Sequence, residues 1–391
     1  MSKIPKLRFK EFSGDWEEKK LSELAKITMG QSPDSNSYNF ENIGIPLIQG
    51  NADCKDRKTL PRTYTSQKTK ECFIDDIIMT VRAPVGAISK SLHHACIGRG
   101  VCSIKPKNNN DFVYQFLIKF EGSWAKYSQG STFTAVNSND VKSLKLNIPS
   151  KDEQEKIASF LTSVDTKIEK LIKKETLLQE YKKGVMQKIF NQEIRFKADD
   201  GSEFCDWKEN EINSFVNLTL REVPKPNSNY LAIGVRSHCK GTFQKPDSEP
   251  HKIAMDKLYQ VRENDLIVSI TFAWESAIAI VKQEDENGLV SHRFPTYTFK
   301  ENVAIVDFFR YVIIQKKFRF MLDLISPGGA GRNRVMSKKN FLKLKWNIPC
   351  VEEQKKIANF LSEIDTKIKQ TQKQLEQTKE FKKALLQTMF V

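Results

Sequence analysis

The chain has 391 residues, too many for one ordinary domain and enough for two modules of roughly 100–150 residues with connecting structure. Lys and Arg outnumber Asp and Glu by 63 to 48, giving a formal charge of +15 that suits a polyanionic partner, and no apolar run approaches the ~20 residues of a membrane span. Seven scattered cysteines without a CxxC pair (Cys54, Cys72, Cys96, Cys102, Cys205, Cys239, Cys350) argue against a disulfide framework or a structural zinc site, and the opening MSKIPKLRFKEF is basic with no apolar stretch, so a cytoplasmic protein is expected.

In chain order, residues 1–17 form an arm carrying Arg8-Phe9-Lys10 and then Asp15-Trp16. A first module covers 18–149. It holds Gly30 to Pro33, an apolar run after an acidic turn (Asp76 to Thr80), and Gly130-Ser131-Thr132-Phe133 near its end. His93, His94, Cys96 and Cys102 are its only cluster of metal-ligand types; in a strand-rich stretch no metal is expected from them. A helix is expected over 150–191. A second arm, 192–210, repeats the first as Arg195-Phe196-Lys197 and Asp206-Trp207. The second module, 211–349, shares little with the first beyond Asp265 to Ser269, which matches Asp76 to Thr80. A second helix is expected over 350–391.

The two helical stretches are copies. Leu144 to Phe190 returns as Leu344 to Phe390 without a gap, with about half the positions identical. Pro149 and Pro349 mark the starts, and Ser150 with Glu153 has capping-box spacing that Cys350 removes from the second copy. Ile157, Leu161, Val164, Ile168, Leu171, Leu178, Val185 and Ile189 step by fours and threes, as do Ile357, Leu361, Ile364, Ile368, Leu375, Leu385 and Met389. That is a heptad seam. Glu175, Lys182, Thr371, Thr378 and Lys382 interrupt it, which predicts an irregular but register-specific pairing. A run of about 37 residues would be about 55 Å long, more than one small module needs. The chain order favours antiparallel pairing with a module at each end and a pseudo-two-fold axis, which would hold two unlike reading heads against successive major grooves 34–36 Å apart. The alternative is that each helix folds onto its own module.

The pattern Asn147-Ile148-Pro149, Glu153-Gln154, Lys156-Ile157-Ala158, Phe160-Leu161 and Asp165-Thr166-Lys167-Ile168, repeated from Asn347, resembles the paired spacer helices of type I restriction-modification specificity subunits. Gly30 to Pro33 and Gly130 to Phe133 are similar to that family's target-recognition domains. The resemblance covers essentially the whole chain; its second module departs from it, with Gly328-Gly329-Ala330-Gly331-Arg332-Asn333-Arg334 in place of Gly130 to Phe133. It implies an α+β fold: two mixed, β-rich, barrel-like recognition domains separated by two long antiparallel coiled-coil helices. It also implies a non-catalytic subunit reading a gapped bipartite site in double-stranded DNA. Its partners would be two modification (methyltransferase) subunits and ATP-driven restriction subunits, with S-adenosylmethionine, ATP and Mg carried by those partners and no cofactor in this chain.

Base edges are read by Arg, Asn, Gln and Lys on loops, and phosphates by these together with Ser, Thr and backbone amides. The candidates are Gln31, Ser32, Arg82, Arg99, Ser131 and Thr132 in the first module, and Arg236, His238, Arg293, Arg332, Asn333 and Arg334 in the second. The foremost is Arg332-Asn333-Arg334, where glycines would admit a phosphate and two guanidiniums would offer bidentate donors. Partner docking is expected at the near-identical helix starts, at Glu153, Gln154, Lys156, Glu353, Gln354 and Lys356. Two rival classes remain open: a single-chain nuclease using Asp34 with Asp56-Arg57-Lys58, and a coiled-coil scaffold that binds no DNA. The chain shows no glycine-rich cofactor loop and no Asn-Pro-Pro-Tyr-like strand end, as a built-in methyltransferase would need.

Overall fold

Proline cannot donate to a strand ladder, and Pro149 and Pro349 each close a short strand and release the chain into a long helix. The computed structural model describes residues 4–126, 135–328 and 334–391; the first long helix runs Lys151–Phe190 and the second Val351–Met389. The chain divides into two compact units, Met1–Thr176 with Gln370–Val391 and Leu177–Lys369, so each long helix contributes a part to each unit.

In the first unit, a six-stranded sheet has the order Ala25–Met29, Val101–Pro106, Ile77–Thr80, Ile88–Lys90, Lys58–Thr59 and Cys54–Lys55. A five-stranded sheet has the order Tyr38–Asn39, Thr63–Thr65, Ile45–Ile48, Ala95–Ile97 and Glu71–Cys72. Both are mixed: Ile45–Ile48 runs parallel to Ala95–Ile97, whereas Val101–Pro106 runs antiparallel to both its neighbours. A separate two-stranded ladder joins the end of the arm to the strand before the helix, pairing Glu17 with Ile148 and Lys20 with Lys145.

The second unit repeats this plan. Its four-stranded sheet orders Val216–Leu218, Thr296–Phe299, Leu266–Val268 and Ile278–Ile280, and its five-stranded sheet orders Arg221–Pro224, Lys257–Gln260, Leu289–Val290, Tyr230–Val235 and Thr242–Ser248. The arm ladder returns as Lys208 with Ile348 and Glu211 with Lys345. The weak match between the modules marks one shared turn. Buried Asp76 accepts from Phe73 N at 3.0 Å and buried Asp265 from Arg262 N at 2.9 Å, each just before a central strand. A mixed α+β fold of two sheet-rich units and a long helix pair is therefore what the repeat builds.

Within each unit the helix parts pair antiparallel. In the first, Lys382 Nζ meets Asp165 Oδ1 at 2.6 Å and Gln372 Nε2 donates to Glu175 Oε1 at 2.8 Å. As one helix number rises by ten the other falls by ten. In the second unit Lys182 Nζ meets Asp365 Oδ1 at 2.5 Å. The seam is buried as its spacing predicts: Ile157, Leu161 and Val164 join Leu385, Met389 and Phe390 in the first unit's core, while Ile357, Leu361 and Ile364 join Ile189 in the second's. Each fully buried aliphatic side chain contributes about 1.5–3 kcal/mol. The last aromatic of each helix plugs a core. Phe390 lies 5.3 Å from Phe112 and 6.4 Å from Trp16, and Phe190 lies 5.6 Å from Phe308 and 6.1 Å from Trp207, ring centre to ring centre.

Candidate nucleic-acid interface

Three chain segments meet at the ends of central strands in the first unit: Gly30 to Ser32, Gln49 to Asn51, and the turn Gly98-Arg99-Gly100. Backbone contact holds them. Gly30 N donates to Val101 O at 3.0 Å, Gln31 N to Ile97 O at 2.9 Å and Gly98 N to Ile48 O at 2.8 Å. Ser32 Oγ accepts from Arg99 N at 3.1 Å. The approach is too close for side chains: a Cβ on Gly30 would stand 2.1 Å from Gly98 O, and one on Gly100 would stand 2.1 Å from Gln49 O. Buried Asp53 braces the middle segment, accepting from Gln49 N at 2.8 Å and from Arg62 Nε at 3.1 Å.

The result is a cleft of about 170 Å³ lined by Ser32, Gln49, Gly50, Asn51, Arg82, Ala83, Arg99 and Gly100. It has two guanidiniums and no carboxylate, so it attracts anions. The side chains of Gln49, Asn51, Arg82 and Arg99 are exposed and enter no hydrogen bond or ion pair among the described residues. The structure thus gathers the expected Ser32, Arg82 and Arg99, with Gln31 exposed next to them. Sequence reasoning missed Gln49 and Asn51. The available signal was a carboxamide on each side of Gly50 directly after an apolar strand. Ser131 and Thr132 lie outside the described residues.

In the second unit four of the six expected residues are described. Arg236 is exposed, but its Nη1 donates to Thr242 O at 2.6 Å and its guanidinium stacks 5.1 Å from the Phe243 ring centre. His238 is exposed at a left-handed turn (φ 61°), its amide donating to Glu275 O at 2.7 Å. Arg293 is exposed after Ser291, whose Oγ accepts from its amide at 3.3 Å. Arg332 and Asn333 lie outside the described residues. Arg334 corrects the expectation of an open guanidinium. It donates to Ser326 O at 2.9 Å and to Asp323 O and Oδ1 at 3.0 and 2.6 Å, and it stacks 5.1 Å from the Trp274 ring centre. The guanidinium is thus tied to the end of helix Lys316–Leu324 and to the turn that follows it.

Of the six residues expected to dock partners, Glu153, Glu353 and Gln354 are buried, whereas Gln154, Lys156 and Lys356 keep accessible surface. Glu153 and Glu353 are 1% and 0% exposed, because the arms lie on them. Arg8 Nε and Nη2 each donate to Glu153 at 2.8 Å; Arg195 does the same to Glu353 at 2.8 and 2.9 Å, and Trp207 Nε1 adds a third bond at 3.1 Å. The hydrogen bond to its carboxylate pushes each arginine further above its ordinary range. Gln154 donates to Pro149 O at 2.9 Å. Buried Gln354 accepts from Ile305 N and donates to Val303 O and Pro349 O. Lys156 pairs with Glu11 at 2.9 Å and Lys356 with Asp199 at 2.7 Å. Each helix start is thus tied to its own arm, by Glu153 and Lys156 in the first unit and by Glu353 and Lys356 in the second.

Three members of the nuclease candidate have other partners. Asp34 caps a short turn by accepting from Asn36 N at 2.9 Å, Arg57 pairs with Glu121 at 2.6 Å and Lys58 with Glu169 at 2.7 Å. No acid, histidine and cysteine group among the described residues has the arrangement of a metal site. His93 bonds Thr59 at 3.0 Å, His94 pairs with Glu71, and burial pushes the Cys102 thiol up to about 12. No described helix is long and apolar enough to cross a membrane.

Comparison with known proteins places these features in a family. A protein of Methanocaldococcus jannaschii described as the type I restriction enzyme MjaX specificity subunit is 35% identical over 193 residues, which is 48% of this chain and 45% of that protein, so the match spans about half of either. The MjaIX specificity subunit of the same organism is 23% identical over 99% of this chain and 93% of its own length. The fold is similar to the crystal structure of the type I restriction-modification S subunit from M. genitalium, with a TM-score of 0.62 at 15% identity over 99% of both chains. The family model described as the type I restriction modification DNA specificity domain matches residues 13–179 and again 206–380. Both halves of the repeat are thus covered, and the chain belongs to the type I restriction-modification DNA specificity family.

Proposed function

We propose that the chain is the DNA-recognition subunit of a type I restriction-modification complex, each unit reading one half of a gapped, bipartite site in double-stranded DNA. The observation that carries this is the duplication itself: the arginine–glutamate clamp, the arm ladder and the helix seam all return in the second half, while the exposed loops of the two sheet-rich units differ. A duplicated frame carrying unlike surfaces suits two different short sequences held in one register. The net charge of +15 and the carboxylate-free cleft favour a polyanion. In this reading the chain performs no chemistry. Methyltransferase subunits bring S-adenosylmethionine, restriction subunits bring ATP and Mg, and the assembly works in the cytoplasm.

The test is to purify the chain with its modification subunits and select bound duplexes from a random pool. A motif of two short specified blocks around a fixed gap, with adenine methylated in each block, is the expected outcome, and affinity should fall with salt at a log–log slope of about −0.9 per neutralised phosphate. Selection of a single continuous block, or of no sequence, refutes the reading.

A further inference from the structure

The cleft of the first unit carries more than positive charge. Gly50 is fully extended (φ −179°, ψ −166°) between Gln49 and Asn51. In extended backbone, residues two apart face the same side, so both carboxamides line the cleft, about 7 Å apart along the chain. That spacing is close to two 3.4 Å base-pair steps. Their loop is braced below by buried Asp53, and Arg82 and Arg99 stand beside them.

A phosphate oxygen only accepts hydrogen bonds, and the two guanidiniums already supply donors for it. A carboxamide presents a donor and an acceptor side by side, and the matching surface in duplex DNA is the major-groove edge of adenine, with N7 accepting and N6 donating. Taking the chain to be a DNA reader, as proposed above, we infer that Gln49 and Asn51 are specificity-determining residues of the first unit. They recognise adenine edges in its half-site while Arg82 and Arg99 hold the adjacent phosphates or a guanine.

The test uses the full chain assembled with its modification subunits, and duplex selection by the wild type, Gln49→Ala, Asn51→Ala and the pair. Both side chains are exposed, so unfolding midpoints should match the wild type. Each single variant should lose at least about tenfold of its preference for A·T at one position of one half-site, and the other half-site should keep its full preference. Unchanged preference in the double variant, or an equal fall in binding for every sequence, overturns the inference and leaves the two-half-site reading standing. A wild type without any sequence preference would instead sink that underlying reading.

Discussion

Arg8–Glu153 and Arg195–Glu353 look in the sequence like ordinary surface charges, and only their shared repetition hints otherwise. Buried carboxylates with two or three donors cannot be lost cheaply, because the arginine left behind is largely enclosed by the arm. Glu153→Ala should therefore destabilise its unit by about 3 kcal/mol. Glu353→Ala should cost more, since it also strands Trp207 Nε1, whereas Trp16 Nε1 has no hydrogen-bond partner among the described residues. Denaturant melts of the two variants check the order. A second residue-scale prediction concerns pH. Burial lifts the Cys102 thiol from 9.0 to about 12, so between those values the unfolded chain releases a proton that the folded chain retains, and stability falls as pH rises. The loss is about 1.4 kcal/mol per pH unit. Lys382, which burial pulls below its ordinary range, acts in the opposite direction, so the comparison with Cys102→Ala is the readout: its stability should fall less steeply above pH 9.

For the long helices, apolar spacing alone made the seam legible. What spacing could not show was that the interrupting residues are partners. Lys382, 8% exposed, meets Asp165, which also accepts from Gln115 at 2.7 Å; Lys182 meets Asp365, which accepts from the Tyr311 hydroxyl at 2.9 Å. Each pair ties the two helices together and to a helix of the neighbouring module. Asp165→Ala should cost about 3 kcal/mol by leaving a buried ammonium unpaired, while Asp165→Leu with Lys382→Met should recover part of that loss, the remainder being the buried Gln115 amide left without its acceptor. Thermal melts of the single and double variants decide it. Ser150 caps the first helix as its spacing predicted, donating no reciprocal box: Glu153 N reaches Ser150 Oγ at 3.4 Å, but the glutamate side chain belongs to Arg8. Local rules named the cap, and a contact 145 residues away redirected its partner.

Across the whole chain, the repeat exposed the architecture because a duplicated frame must conserve its internal contacts. The binding surface was less legible. Ser32, Arg82 and Arg99 were found because arginines and a serine in a Gly-Gln-Ser-Pro turn stand out, yet they come from segments 50 and 17 residues apart, and only the folded strand ends bring Gln49 and Asn51 among them. Arg334 misled for the opposite reason. Its glycine-rich neighbourhood suggested an open loop, while Asp323, Ser326 and the Trp274 ring hold its guanidinium.

The first unit is discontinuous: its core contains Leu385, Leu386, Met389 and Phe390 as well as residues from the opposite end of the chain. A ribosome therefore cannot finish the first unit before it has made the second, which is continuous in sequence and free to condense earlier. Until the closing aromatic arrives, Trp16, Phe112 and Phe116 wait with an unfilled socket. A nascent chain arrested before Leu385 should accordingly show a protease-resistant second unit and a sensitive first one, so that the first unit closes only after the second has been made.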